Sequence, residues 1–280
     1  MSRSTARPRT HTPATRKRLS QNFLTESATA HRIVAAADIG RSDLVLEIGS
    51  GDGMLTRHLV RYAGQVVAYE KDPYYARRLS LRHAGNDRIR VVNKDFRFAE
   101  SPEQPFAVVG NIPFGASTDI LRWCLAAPRL TAATLLTQYE FARKYSGDYG
   151  RWTKTTVTHW PDWVPVLGER IARGEFFPVP RVDGAILRIV RRPVPLLSAG
   201  ARGDYRQMVE LGFSGVGGSL AASLRRAHPA RAVTRACAAA GIATGLPVGL
   251  VPPAAWLTLY HRLHETASPG YDRPAPRRRR

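Results

Sequence analysis

Apolar strand runs and helical segments alternate along this chain, and the strand runs end beside polar residues or glycines. Residues 44–48, 65–69, 89–93, 106–110 and 132–138 read as strands. Helical patterns fall between them. One runs from a Thr25 cap to about Asp38, one covers 53–62, one starts at Pro73, one covers 118–125 and one lies near 140–145. Alternation at this spacing predicts an open, mostly parallel sheet with helices on both faces. Two later runs, 163–171 and 185–190, should close its edge as a hairpin. In such sheets chemistry gathers outside the carboxyl ends of the strands.

Composition shifts after Pro193-Val194-Pro195. Residues 205–213, 219–226, 230–240 and 253–264 read as helices broken by glycine and proline, which predicts a small all-helical second domain. Arg225, Arg226, Arg231 and Arg235 give that domain a basic surface. The predicted organisation is a disordered basic arm (1–18), an α/β domain (19–193), a helical domain (194–268) whose basic surface suits a polyanion, and a basic disordered tail (269–280). The arm contains Arg16, Lys17 and Arg18, and the chain ends on four arginines. A formal net charge of +20 exceeds what solubility requires and points to a polyanionic partner. Cys124 and Cys237 stand far apart, so neither a disulfide framework nor a structural zinc site is expected. No apolar stretch is long enough to span a membrane, and the basic start lacks the apolar centre of a signal peptide. A soluble cytoplasmic monomer is the expectation.

The fourth strand run leads into Asn111-Ile112-Pro113-Phe114. An Asn amide oxygen and the carbonyl before a proline can both accept hydrogen bonds from one exocyclic amine. Pro113 restricts the backbone so that the two acceptors converge. Phe114 offers a flat face on which a base can stack. The set suits chemistry on the amino group of adenine or cytosine.

Between the first strand and its helix lies Glu47-Ile48-Gly49-Ser50-Gly51-Asp52-Gly53. The dinucleotide fingerprint needs G-x-G-x-x-G at this place. Here the spacing is G-x-G-x-G, with Met54 where the third dinucleotide glycine would fall. Glu47 and Asp52 disfavour a pyrophosphate and suit a sulfonium and an ammonium, so S-adenosylmethionine fits better than a nicotinamide dinucleotide. Glu70, at the end of the second strand, can accept both ribose hydroxyls. Asp95 follows the third strand and can accept from the adenine amine. No metal is required by this chemistry.

These residues resemble the Erm family of ribosomal RNA adenine-N6 methyltransferases over roughly Arg16 to Val190. Ser20-Gln21-Asn22-Phe23-Leu24 is similar to the family's N-terminal motif, which closes over the methionine end of the cofactor. The resemblance implies a Rossmann-like class I methyltransferase sheet with a helical C-terminal domain. It implies cofactor contacts from Asn22, Leu24, Gly49, Glu70, Asp95 and Asn111. The segment from Phe176 to Val182 is similar to the family's F-x-P-x-P-x-V motif, which would place Phe176 on the other face of the target base, opposite Phe114.

The implied reaction is methylation of one adenine in the peptidyl-transferase loop of 23S rRNA, free or in an early assembly intermediate. The implied consequence is resistance to macrolide, lincosamide and streptogramin B antibiotics. The sister KsgA family of small-subunit dimethyltransferases is the alternative; it usually has proline at the position of Asp119 in Ser117-Thr118-Asp119-Ile120. A non-catalytic RNA-binding assembly protein is a third reading, against which the full set of Gly49, Glu70, Asp95 and Asn111 argues.

Overall fold

A computed structural model describes residues 22–215 and 218–265 of the chain. The predicted arm and tail, with Arg16, Lys17, Arg18, Ser20 and Gln21, lie outside the described residues. The chain divides into two units, one of residues 1–146 and 163–191, the other of residues 147–162 and 192–280.

The first unit runs β1 (Phe23–Leu24), α1 (Ser27–Ala36), β2 (Leu44–Ile48), α2 (Thr56–Tyr62), β3 (Gln65–Glu70), α3 (Pro73–Arg82), β4 (Ile89–Asn93), β5 (Phe106–Asn111), α4 (Ser117–Ala126), β6 (Leu130–Gln138) and α5 (Tyr139–Ser146). It resumes with β7 (Trp163–Ile171), β8 (Phe176–Phe177) and β9 (Gly184–Arg191). Seven strands form one sheet in the order β4-β3-β2-β5-β6-β9-β7. The first five are mutually parallel, and β9 runs antiparallel to both β6 and β7. Every residue of β2 is buried, as expected of a central parallel strand covered on both faces.

Neighbouring residues of each strand point to opposite faces. Leu46, Val108 and Leu135 pack on one side with Ile120 and Cys124 of α4. Val45, Val109 and Leu136 pack on the other with Ile33 of α1 and Leu59 of α2. The predicted hairpin of the last two strands is present as the β7–β9 pair, but a longer excursion joins them. Within it β8 leaves the sheet and pairs with β1, matching Phe23 with Phe177 and Leu24 with Phe176.

Two local expectations are corrected. Helix α1 is preceded by Glu26 and not capped by Thr25. The Thr25 hydroxyl donates to the Glu175 carbonyl instead, at 3.1 Å. Helix α2 begins three residues later than expected because Gly51 and Gly53 turn the chain with φ of 51° and 81°.

The second unit contains α6 (Lys154–His159), α7 (Ala201–Gly212), α8 (Leu220–Leu224), α9 (Ala230–Ala239) and α10 (Pro253–Glu265). Helix α6 was not expected, and it moves a domain boundary: residues 147–162 belong here and not to the sheet unit. The Thr153 hydroxyl caps α6 by accepting from Thr156 N at 3.0 Å. Val157 is fully buried in the helical core, and the Tyr205 hydroxyl donates to its carbonyl at 3.1 Å. Arg225, Arg226, Arg231 and Arg235 are all exposed. Cys124 and Cys237 are both free and buried. Among the described residues no helix is long and apolar enough to cross a membrane.

Trp256 anchors the helical core, stacked on Phe213 with centroids 5.4 Å apart and planes 6° from parallel. Gly212 makes room for it: a Cβ there would lie 2.3 Å from the Trp256 ring. Gly212→Ala gains about 1 kcal/mol of helix propensity. The overpacking against a fully buried, rigid ring costs roughly 1–3 kcal/mol and outweighs that gain. Thermal unfolding should therefore show a lower melting temperature for the variant, although alanine is the better helix former.

Candidate active site

One cavity opens at the carboxyl ends of β2, β3, β4 and β5. Asn22, Gly49, Gly51, Glu70, Asp95, Asn111, Ile112 and Pro113 line it. The sheet register explains the convergence. Ile48 pairs with Tyr69 on one side and Gly110 on the other, and Glu70 pairs with Asn93, so all four strand ends meet on one rim.

The glycine loop is a tight left-handed turn. Gly49, Gly51 and Gly53 have φ of 67°, 51° and 81°, values that a side chain resists. Gly49 N and Ser50 N both donate to the Tyr69 carbonyl, at 2.9 and 3.3 Å. Glu70 holds the loop from below. Its Oε2 accepts from Gly51 N and its Oε1 from Asp72 N, each at 2.8 Å. Burial raises the Glu70 pKa, and the two N–H bonds work against that rise. Each oxygen keeps a further lone pair for a ligand hydroxyl.

Asp95 is gripped by Arg97. Its Oδ1 accepts from Arg97 N at 3.0 Å and from Nε at 3.1 Å, and its Oδ2 accepts from Nη2 at 2.8 Å. The guanidinium holds the Asp95 carboxyl below its usual range. The Asn111 amide Nδ2 donates to the Asn22 carbonyl at 2.7 Å, which orients the side chain and leaves its Oδ1 as an acceptor. The following turn is rigid. Ala116 N donates to the Pro113 carbonyl at 2.9 Å, and the Ser117 hydroxyl bonds Thr137 at 2.8 Å. Phe114 starts this turn half-buried.

Four expectations change. The Glu47 carboxylate does not face the cavity. It is fully buried, and its Oε2 accepts from the Thr56 hydroxyl at 2.7 Å while Oε1 has no partner. Burial pushes its pKa up to about 8, so it is mostly uncharged at neutral pH. Asp52 is half-exposed and pairs with Arg78 at 3.2 Å. The acids facing a ligand are therefore Glu70 and Asp95.

Leu24 is also placed differently: its side chain is 5% exposed and lies in the core, away from the cavity. Phe176 is 1% exposed in the same core, so its ring cannot lie open to a base in this arrangement. Strand alternation turns Phe177 outward instead, and it is 58% exposed.

Several lining residues escaped sequence reading, among them Phe23, Tyr69, Lys71, Lys94 and Arg97. A Cβ on Gly51 would lie 2.8 Å from Cε1 of Phe23, so that ring rests on the glycine loop. Only the pairing of β1 with β8 puts it there. A basic patch at the same end of the sheet was missed too. The Arg170 guanidinium lies 4.6 Å from the Tyr139 ring centroid, with Arg143 at 5.4 Å, and Arg173 and Arg181 are close by.

A family profile described as "Ribosomal RNA adenine dimethylase" matches residues 13–265. This chain belongs to the ribosomal RNA adenine dimethylase family. It is 48% identical over 265 residues to an "rRNA methyltransferase" of Streptomyces thermotolerans, covering 94% of this chain and 89% of that one. It is 40% identical over 224 residues to "Mycinamicin-resistance protein MyrB" of Micromonospora griseorubida, covering 79% and 71%. Among solved structures, that of "23S rRNA methyltransferase ErmE" superposes with a TM-score of 0.84 at 47% identity, covering 87% of this chain and all of that one. The class I methyltransferase sheet expected from the Erm-like motifs is thus the observed fold.

Two predictions test the placement of buried groups in this family member. From about pH 4.5 to about pH 8, folded Glu47 keeps a proton that the unfolded chain has released. The Glu47 contribution to stability therefore falls as pH rises through that window, by at most about 1.4 kcal/mol per pH unit. In thermal unfolding, Glu47→Gln should flatten this slope; a wild-type slope in the variant would mean Glu47 is ionised in the fold. Second, Phe176→Ala should cost roughly 3–5 kcal/mol of stability. Phe177→Ala should stay within about 0.5 kcal/mol of wild type.

Proposed function

We propose that this dimethylase family member methylates N6 of one adenine in the peptidyl-transferase loop of 23S rRNA, and that the modified base confers macrolide, lincosamide and streptogramin B resistance. The observation that carries this reading is Asn111, held by Asn22 at the mouth of a cavity shared with Gly49, Glu70 and Asp95. The relatives support it: one solved neighbour is named for 23S rRNA, and MyrB is named for mycinamicin resistance.

The donor set fits S-adenosylmethionine. Glu70 retains lone pairs for a ribose diol, and Asp95 retains one for an adenine amine. A Cβ on Gly49 would meet only the Asn111 carbonyl, at 3.6 Å, so a ligand can pass close to the backbone there. When bound, this cofactor supplies an electrophilic methyl on a sulfonium.

The chain's own residues do the rest. Asn111 Oδ1 and the Ile112 carbonyl accept the two N–H bonds of the target amine, which draws its lone pair out of the ring and toward the methyl. Phe114 stacks on the flipped base. Because the acceptors are fixed by the β5 ladder and the Pro113 turn, positioning and electrostatic preorganisation lower the barrier. Extruding the base costs a few kcal/mol and is cheapest in loop RNA. Arg225 and Arg226 of the helical unit, with Arg16, Lys17 and Arg18, would contact phosphates.

Asn111→Ala should lower methyl incorporation into 23S rRNA by roughly 10²–10³-fold while RNA affinity stays near wild type. Nucleoside mass spectrometry gives the product, and primer extension on 23S and 16S rRNA locates it. Wild-type transfer by the variant would sink the mechanism, and a modified 16S adenine would sink the substrate assignment.

A further inference from the structure

We propose that Arg97 is a positioning residue for cofactor recognition, fixing the Asp95 carboxylate so that one acceptor position faces the adenine amine of the methyl donor. The proposal rests on the reading of Asp95 as the adenine acceptor.

An ionised carboxylate offers about four lone-pair positions. Arg97 takes three of them: two on Oδ1, through its own N–H and Nε, and one on Oδ2, through Nη2. A single acceptor position remains, on Oδ2, and an adenine amine directs one N–H at one acceptor. The forked contact also fixes the plane of the carboxylate, which a single bond would not do. Arg97 is itself held from another side. Its Nη1 lies 3.7 Å from Oδ2 of Asp119 on α4, the helix that follows the Asn111–Phe114 turn. This gives the unassigned acid of the Ser117–Ile120 motif a role: it steadies the guanidinium that steadies Asp95.

A stability role is the weaker account. The Arg97 side chain is 41% exposed and that of Asp119 52%, and ion pairs so open to water add little to folding. Arg97 and Asp95 nevertheless both line the cofactor cavity, with Phe96 between them in the sequence. The pair is placed where geometry toward a ligand matters more than its own strength.

The test compares two probes on the full chain by calorimetry. One is S-adenosylhomocysteine; the other is S-inosylhomocysteine, with a carbonyl in place of the amine. Wild type should prefer the amine by about tenfold or more, the value of one hydrogen bond to a charged group. Arg97→Leu should bind S-adenosylhomocysteine about tenfold more weakly and lose most of that preference, with little change in melting temperature. Arg97→Lys, which keeps the charge and loses the fork, should recover only part of it. A full wild-type preference in Arg97→Leu would overturn the proposal while leaving Asp95 as the adenine acceptor. Absence of any preference in wild type would overturn the assignment of Asp95 itself, and the proposal with it.

Discussion

The close approach of β2 and β5 is the constraint on which the site depends. Gly110 pairs with Ile48, and a Cβ at that position would lie 2.7 Å from the Ile48 Cβ. No side chain fits there. The absence of one lets the two strand ends converge, so that the Gly49 turn and Asn111 lie side by side in the cavity wall. The rigidity is inherited from the sheet: both strands are parallel, covered on both faces and buried along nearly their whole length. A site built on such strands needs few hydrogen bonds of its own to hold its geometry.

The N-terminal segment completes the site through contacts far apart in the chain. Phe23–Leu24 pairs with Phe176–Phe177, the Phe23 ring rests on Gly51, and the Asn22 carbonyl orients the Asn111 amide. The glycine loop, Asn111 and the F-x-P-x-P-x-V segment are thereby tied to residues 22–24. Leu24 and Phe176 serve as the apolar underside of this tie, which is why they are buried and not presented to ligands.

Charge in the cavity follows burial more than composition. The loop sequence holds two acids, yet Glu47 is buried and mostly uncharged at neutral pH and Asp52 is paired on the surface. Glu70 is buried too, but two backbone N–H groups favour its ionised form. Sequence proximity to the glycine loop is thus a poor guide to which acid meets a ligand. The direction of the side chain from its strand decides: Glu47 points beneath α2, where Thr56 meets it.

What the sequence by itself determined is the alternating α/β plan, the strand ends that carry Gly49, Glu70, Asp95 and Asn111, and the family. These are local signals, set by residue periodicity and by short motifs whose residues are neighbours in the chain. What only the tertiary structure decided is which side chains face the cavity. Phe23 enters it while Leu24 and Phe176 do not, Arg97 grips Asp95, and residues 147–162 leave the sheet unit for the helical one. The physical reason is the same each time. A residue's face depends on the partner strand or helix that covers its other side, and that partner lies tens to more than a hundred residues away, as Glu175 does from Thr25.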